Sequence, residues 1–292
     1  MTIQREQLIW ELRTIRENQY RVSGDKNLWE LVLVMLNYIG DTDYELRDDL
    51  ILSTLFVWID AKGLFSEEQV RYILSAVMDE GHLFYQIGSD GDDSIFTRSF
   101  SLLIVVRIFN RHRKEAFLSA GEFTDIKNRL IEYCASEVDL RGYIQKSGWA
   151  HAAAHSADVW NELVQCRECS VEIIEEILKA FQKILYNGKY IFHNEEDERI
   201  SRVVFRIIKE NRFPKQSVAL WLEQLCECVG WPGSRMQYVA RVNSKNFIRC
   251  LYFKMMHYDQ AMGRTIFKVE ETLNRFLTVD RELMTTDKEY LR

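Results

Sequence analysis

The sequence predicts an all-α fold, and three observations carry that expectation. Only two prolines and 13 glycines punctuate 292 residues, whereas an all-β chain takes turn residues about every 8–12 positions. Apolar side chains recur at steps of three and four, as in Leu8, Leu12, Ile15 and again in Val70, Ile73, Leu74, Val77, which is the helical period. No alternating strand pattern competes with it.

The helix boundaries follow from caps and breakers. Small polar or acidic residues mark starts at Asp25 before Leu28, at Ser66 with Glu67 and Glu68, at Thr124 with Asp125, and at Ser170 with Glu172, because a short oxygen-bearing side chain accepts from the free N–H groups of a first turn. Stops fall at Gly40, Gly63, Gly88 to Gly91, Gly142 to Gly148, Asn187 with Gly188, Pro214, and Gly230 to Gly233. The count that follows is about twelve helices.

Composition limits the function classes. A 47% hydrophobic and 28% charged chain buries a core rather than staying disordered. The opening Met1 to Glu6 shows no apolar signal region, and the longest apolar stretches, near Leu50 to Ile59 and Phe100 to Val106, fall well short of the roughly 20 residues of a membrane span. A soluble, cytoplasmic protein with no membrane contact is expected. Its six cysteines (Cys134, Cys166, Cys169, Cys226, Cys228, Cys250) then read as reduced thiols. The net charge of −6 disfavours nucleic acid, which takes Lys and Arg gathered on one face, although 235–275 is locally basic.

The helices also read as pairs that repeat. Arg47, Arg98, Trp149, Arg199 and Lys245 lie 51, 51, 50 and 46 residues apart, in helix starts that resemble one another: Glu45-Leu46-Arg47-Asp48, Phe96-Thr97-Arg98-Ser99, Gly148-Trp149-Ala150-His151, Asp197-Glu198-Arg199-Ile200 and Asn243-Ser244-Lys245-Asn246. Two helices per unit at that spacing predict an α-α superhelix of the HEAT-like kind, one helical-repeat domain over 1–292. The layer with polar starts would line its concave side.

The least ordinary stretch runs from Arg141 to Gln165. On a helical wheel His155, Asp158, Glu162 and Ser147 fall within about 40° either side of His151, with Trp149, Ala153 and Trp160 opposite. Ala152, Ala153, Ala154 and Ala157 leave room for another backbone or a ligand. Three readings stay open: side chains hydrogen-bonding a neighbouring helix, a contact for a protein segment or small molecule, or a site for catalysis or metal. In the last, His151, His155 and Asp158 present ligands for Zn or Mn or an acid/base pair. The glutamate that follows the first histidine in zinc proteases is absent.

Other patterns are weaker. Cys166-x-x-Cys169 with Cys226-x-Cys228 has zinc-like spacing, but cysteines in apolar helices are ordinarily small buried hydrophobes. Arg47, Arg98 and Arg199 beside Asp48, Asp93 and Asp197 fit helix-end ion pairs, or a row that clamps an anion. Gly88 and Gly91 among Asp90, Asp92 and Asp93 read as a turn, since the closing glutamate of a calcium loop is missing. There is no phosphate loop and no nucleophile elbow.

Taken together, Ile39-Gly40-Asp41 with Glu45-Leu46-Arg47-Asp48, Phe96-Thr97-Arg98-Ser99-Phe100-Ser101, Arg141-Gly142-Tyr143, Gly148-Trp149-Ala150-His151 and His155-Ser156-Ala157-Asp158 resemble a bacterial family of helical proteins, domain of unknown function 2785. Glu196 to Arg199, Asn243 and Phe247 to Tyr252 extend the likeness along most of the chain. The resemblance implies a single domain and points to the residues just named; it implies no reaction, cofactor or partner. The function expected is a binding module whose groove holds Arg47, Arg98, Trp149, His151, His155, Asp158, Arg199 and Asn243 and takes a protein segment or small ligand. The alternative is a metal-dependent or acid/base enzyme with its site on the same helix.

Overall fold

The computed structural model describes residues 4–22 and 27–277, of which 68% are helical. Asp25, expected to open a helix, and Met1 to Ile3 lie outside the described residues. The cap ahead of α2 (Leu28–Asn37) is instead Asn27, whose side chain accepts from the N–H groups of Trp29 and Glu30. The described residues fall into two compact units, divided after Ser170.

In the first unit α1 (Arg5–Glu17) and α2 precede a continuous helical run, 45–61. Its centre, α3 (Ser53–Phe56), is flanked by π-helical stretches, Glu45–Leu52 and Val57–Ala61. The wider i→i+5 winding turns Leu46, Leu50, Ile51, Leu55, Trp58 and Ile59 inward together. After α4 (Glu67–Val77) comes α5 (Ser94–Lys114), the centre of the unit. It packs against α4, α7 and the 45–61 run, so it is buried nearly all round, from Ile95 and Phe96 to Phe109 and His112.

Capping boxes start α4 at Ser66 with Gln69 and α6 (Ala120–Ser136) at Ser119 with Glu122. Thr124, expected at a helix start, lies inside α6 with its hydroxyl on the Ala120 carbonyl. A two-stranded antiparallel hairpin, β1 (Tyr143–Ile144) and β2 (Gly148–Trp149), then precedes α7 (Ala152–Leu163).

The second unit holds α8 (Val171–Leu185), α9 (Glu196–Lys209), α10 (Lys215–Gln224), a short 3-10 turn, α11 (Arg235–Met255) and α12 (Gln260–Leu273). On α9 the buried Ile200, Val203, Val204, Ile207 and Ile208 form one apolar stripe at helical spacing. That stripe lies on α11, which also carries α12. Asn243 and Lys245, expected at a helix start, sit in the middle of α11. Ser234 caps that helix by accepting from the Gln237 N–H, nine residues ahead of Asn243.

Candidate functional site

Lys146, Gly148 and His151 all take positive φ (77°, 83° and 56°), which no helix tolerates. The chain therefore folds back as the β1–β2 hairpin, closed by the Ala150 and His151 N–H groups on the Gly142 and Arg141 carbonyls at 2.9 Å each. This is why Trp149 and Ser147 do not share a helical wheel with His155: α7 begins only at Ala152, with left-handed His151 as its cap residue. Glycine is required at 148. A Cβ there would stand 3.1 Å from the Tyr44 Cβ and 3.2 Å from the Arg47 guanidinium.

The hairpin delivers a ladder of rings from surface to core. Tyr143 (58% exposed) meets Trp149 (42% exposed) edge-on at 5.0 Å. The Trp149 indole stacks on the buried His151 ring at 4.7 Å and 17°. His151 then meets His155 at 5.7 Å, and His155 meets Phe100 of α5 at 5.4 Å. His155 Nδ1 lies 3.1 Å from the Ser99 carbonyl. A carbonyl only accepts, so Nδ1 donates to it. Asp158, one turn further along α7, is half-buried.

Arg47 supports this ladder from below. Its side chain is completely buried. It donates to the Asp41 carbonyl at 2.7 Å, to Asp48 Oδ2 at 3.0 Å and to the Ser147 carbonyl at 2.7 Å, while its guanidinium lies 4.2 and 4.5 Å from the Phe96 and Phe100 ring centres. Burial lowers the Arg47 guanidinium from its ordinary value, opposed by Asp48, and burial likewise raises Asp48 against the pull of Arg47.

Arg98 and Asn243 do similar work elsewhere. Arg98 donates to both oxygens of Glu137, at 2.6 and 3.0 Å, and to the Ser94 hydroxyl and the carbonyls of Tyr85, Gln86 and Ser89. Burial works to lower it, but the hydrogen bond and charge of Glu137, with Tyr133 and Asp139 nearby, together hold it above its ordinary value. The Asn243 amide oxygen accepts from the Phe192 N–H, and its nitrogen donates to the Leu185 and Tyr190 carbonyls. All three side chains hold the loops before helices in place through hydrogen bonds to loop backbone. Arg199 is half-buried on α9, in the second unit.

A further cluster had no signal in the sequence beyond its residue types. His112 Nε2, Cys166 Sγ and a Glu168 oxygen lie within 4.8 Å of one another, beside a cleft of about 330 Å³ that also shows Arg113, Lys114 and Arg167. Its chemistry does not suit a cation. His112 Nδ1 accepts from the Phe117 and Leu118 N–H groups, both at 3.1 Å, so the proton of the neutral ring sits on Nε2, 3.4 Å from Glu168. A metal would have to take the place of that proton, and Nδ1 has no room to receive it. Burial pushes the Cys166 thiol up to about 12, far from a thiolate ligand or nucleophile. The thiols of Cys169, Cys226 and Cys228 likewise lie against backbone carbonyls.

The fold and these buried clamps define an all-α protein built on helices joined by polar-clamped loops. The chain belongs to the family described as Protein of unknown function (DUF2785), whose model matches residues 83–253, from ahead of α5 through most of α11. No curated protein and no solved structure matches it. Among the described residues no helix is long and apolar enough to cross a membrane.

Proposed function

We propose that the chain is a binding module of the α-α superhelix kind, and that its contact face is the β1–β2 hairpin over α7, where a protein segment or small ligand lies on Trp149 and Tyr143. The observation that carries this is the Trp149 indole, 42% exposed, held rigid by stacking on His151. An exposed aromatic that has already lost its freedom binds at little entropic cost. Neighbour packing within each unit supports the superhelix: the 45–61 run lies on α5 and α5 on α7, and in the other unit α9 lies on α11. On this reading Arg47 and Arg98 shape loops of the first unit, and the buried His151 and His155 support the contact face from beneath.

A photo-crosslinking residue in place of Tyr143, compared with one in place of the exposed Tyr72, tests the proposal. Adducts at 143 that disappear in Trp149→Ala while the fold is kept are the expected result. Adducts that are equal at both positions, or indifferent to Trp149, would overturn it.

The His155 contact with the Ser99 carbonyl favours a second reading, a metal or acid/base site on α7, because a backbone carbonyl on one ring nitrogen orients an imidazole for either role. Metal analysis of untagged protein purified without chelator decides it. Stoichiometric zinc or manganese that His155→Ala abolishes would replace the binding module with an enzyme.

A further inference from the structure

The chain is acidic, yet its last two described helices are not. Between Arg235 and Arg275 stand eight Lys and Arg against three Asp and Glu, in a chain of net charge −6. There α11 and α12 pack on each other, with Gly263 against the backbone of Met256. Along the seam runs a groove of about 510 Å³. Its floor is apolar: Tyr252 and Phe267, with ring centres 5.8 Å apart, and Met256. Met256 and Phe267 remain 36% and 37% exposed.

Two of these cations are already engaged. Arg249 is paired with Glu270, and Lys254 with Glu198. Arg264 and Lys268, one turn apart on α12, are exposed on the rim of the groove, which Glu271 also lines, and no carboxylate among the described residues pairs with the two cations. We infer that this groove is a docking site for an acidic amphipathic helix of a partner protein, whose apolar stripe fills the Tyr252–Met256–Phe267 floor while carboxylates one turn apart face Arg264 and Lys268. Helix-in-groove recognition has this form. Methionine and aromatic side chains adapt to such a stripe, and rim charges select its sign. A lipid surface is matched by apolar side chains that project outward, whereas these line a concavity. Nucleic acid calls for a longer row of unpaired cations than the two on this rim.

A display library of random peptides of about 16 residues, some four helical turns, panned on the full chain, tests the inference. Enriched peptides should be net acidic with apolar residues at helical spacing. The best of them should lose affinity about tenfold or more, roughly what an ion pair's coupling is worth, in an Arg264→Glu, Lys268→Glu double variant of unchanged melting temperature. Phe267→Ala should weaken the same peptide. Neutral or basic winners, or affinity indifferent to the charge reversal, would overturn it. So would displacement of the peptide by phosphatidylserine vesicles or by a single-stranded oligonucleotide, by a second copy of the chain on raising its concentration, or a gain in affinity on deleting 278–292. The hairpin variant Trp149→Ala should leave this binding intact, which separates the two surfaces.

Discussion

Arg47 donates to the Ser147 carbonyl at 2.7 Å across 100 residues of sequence. One guanidinium thereby joins the π-wound start of the 45–61 run to the hairpin ahead of α7, with Asp48 and the Asp41 carbonyl on its other edges. Removing one partner of a buried charged pair costs about 3–5 kcal/mol, so Arg47→Ala should lose that much in urea denaturation. Arg47→Lys should recover little, because a single ammonium does not reproduce the planar fork. A near-native Lys variant would show that charge alone matters here.

Gly40 lies against α5 with no space for a side chain. A Cβ on it would lie 2.8 Å from the Thr97 Cα and closer still to the Thr97 hydroxyl. Gly40→Ala should therefore destabilise by about 1–3 kcal/mol, the usual cost of overpacking. Adding Thr97→Ala should restore only part of it, since the Thr97 backbone stays in the way. Full rescue in the double variant would locate the whole conflict in the hydroxyl.

How much of this was legible in the sequence depends on the range of the interaction. The stripe of α9, Ile200 to Ile208, follows from local period alone, and the helical class with it. The cap at Ser66 lies within a few residues of what it caps. The hairpin was not legible in the same way. The left-handed backbone at His151, a residue that carries no glycine signal, ends the helical wheel four residues before His155, and so takes Trp149 out of α7 and into the exposed hairpin. Arg47 was singled out by its spacing, but its partner 100 residues away gives no pattern, so a groove residue and a loop clamp look alike. Asn243 matched the spacing of helix starts while standing mid-helix. His112 and Glu168 meet only in three dimensions.

His112 caps two backbone groups at once. Replacing it with Ala leaves the buried Phe117 and Leu118 N–H groups without their acceptor, at about 1–3 kcal/mol for each unsatisfied group. A clear loss of thermal stability should appear by calorimetry, and metal content should not change. Bound zinc that is lost in His112→Ala would overturn the assignment of this cluster as a structural one.

Alkaline pH gives a further check. The ordinary thiol value is about 8.5, and burial raises Cys166 to about 12 in the folded chain. Between those values the unfolded chain gives up a proton that the folded chain keeps. Its contribution is thus fully present below about pH 8.5 and is lost as pH rises toward 12. Tyr133, raised by burial and by the Glu137 carboxylate, adds in the same direction. Denaturation midpoints should fall over that window, and less steeply in Cys166→Ala. A midpoint flat from pH 8 to 11, values within about the span these groups titrate, would contradict the buried-thiol account.

The sharpest test falls on His151, where two contributions of opposite sign meet. Its ring, 4% exposed, packs between Trp149 and His155, so any truncation loses that stacking. Its backbone is left-handed at φ 56°, a conformation that costs a residue with a Cβ about 1–2 kcal/mol and glycine very little. His151→Ala loses the ring and keeps the strain. His151→Gly loses the ring and releases the strain, although its unfolded chain is freer by about 0.4–1 kcal/mol. At an ordinary position glycine would therefore be the worse of the two, whereas here His151→Gly should equal or exceed His151→Ala in stability, by up to about 1 kcal/mol. Trp149→Ala, at a half-open position, should cost less than either. Urea denaturation of the three variants orders them. If Gly proved clearly less stable than Ala, the backbone at 151 would not be the left-handed pivot that turns the hairpin into α7, and the rigidity ascribed to the Trp149 platform would have lost its cause.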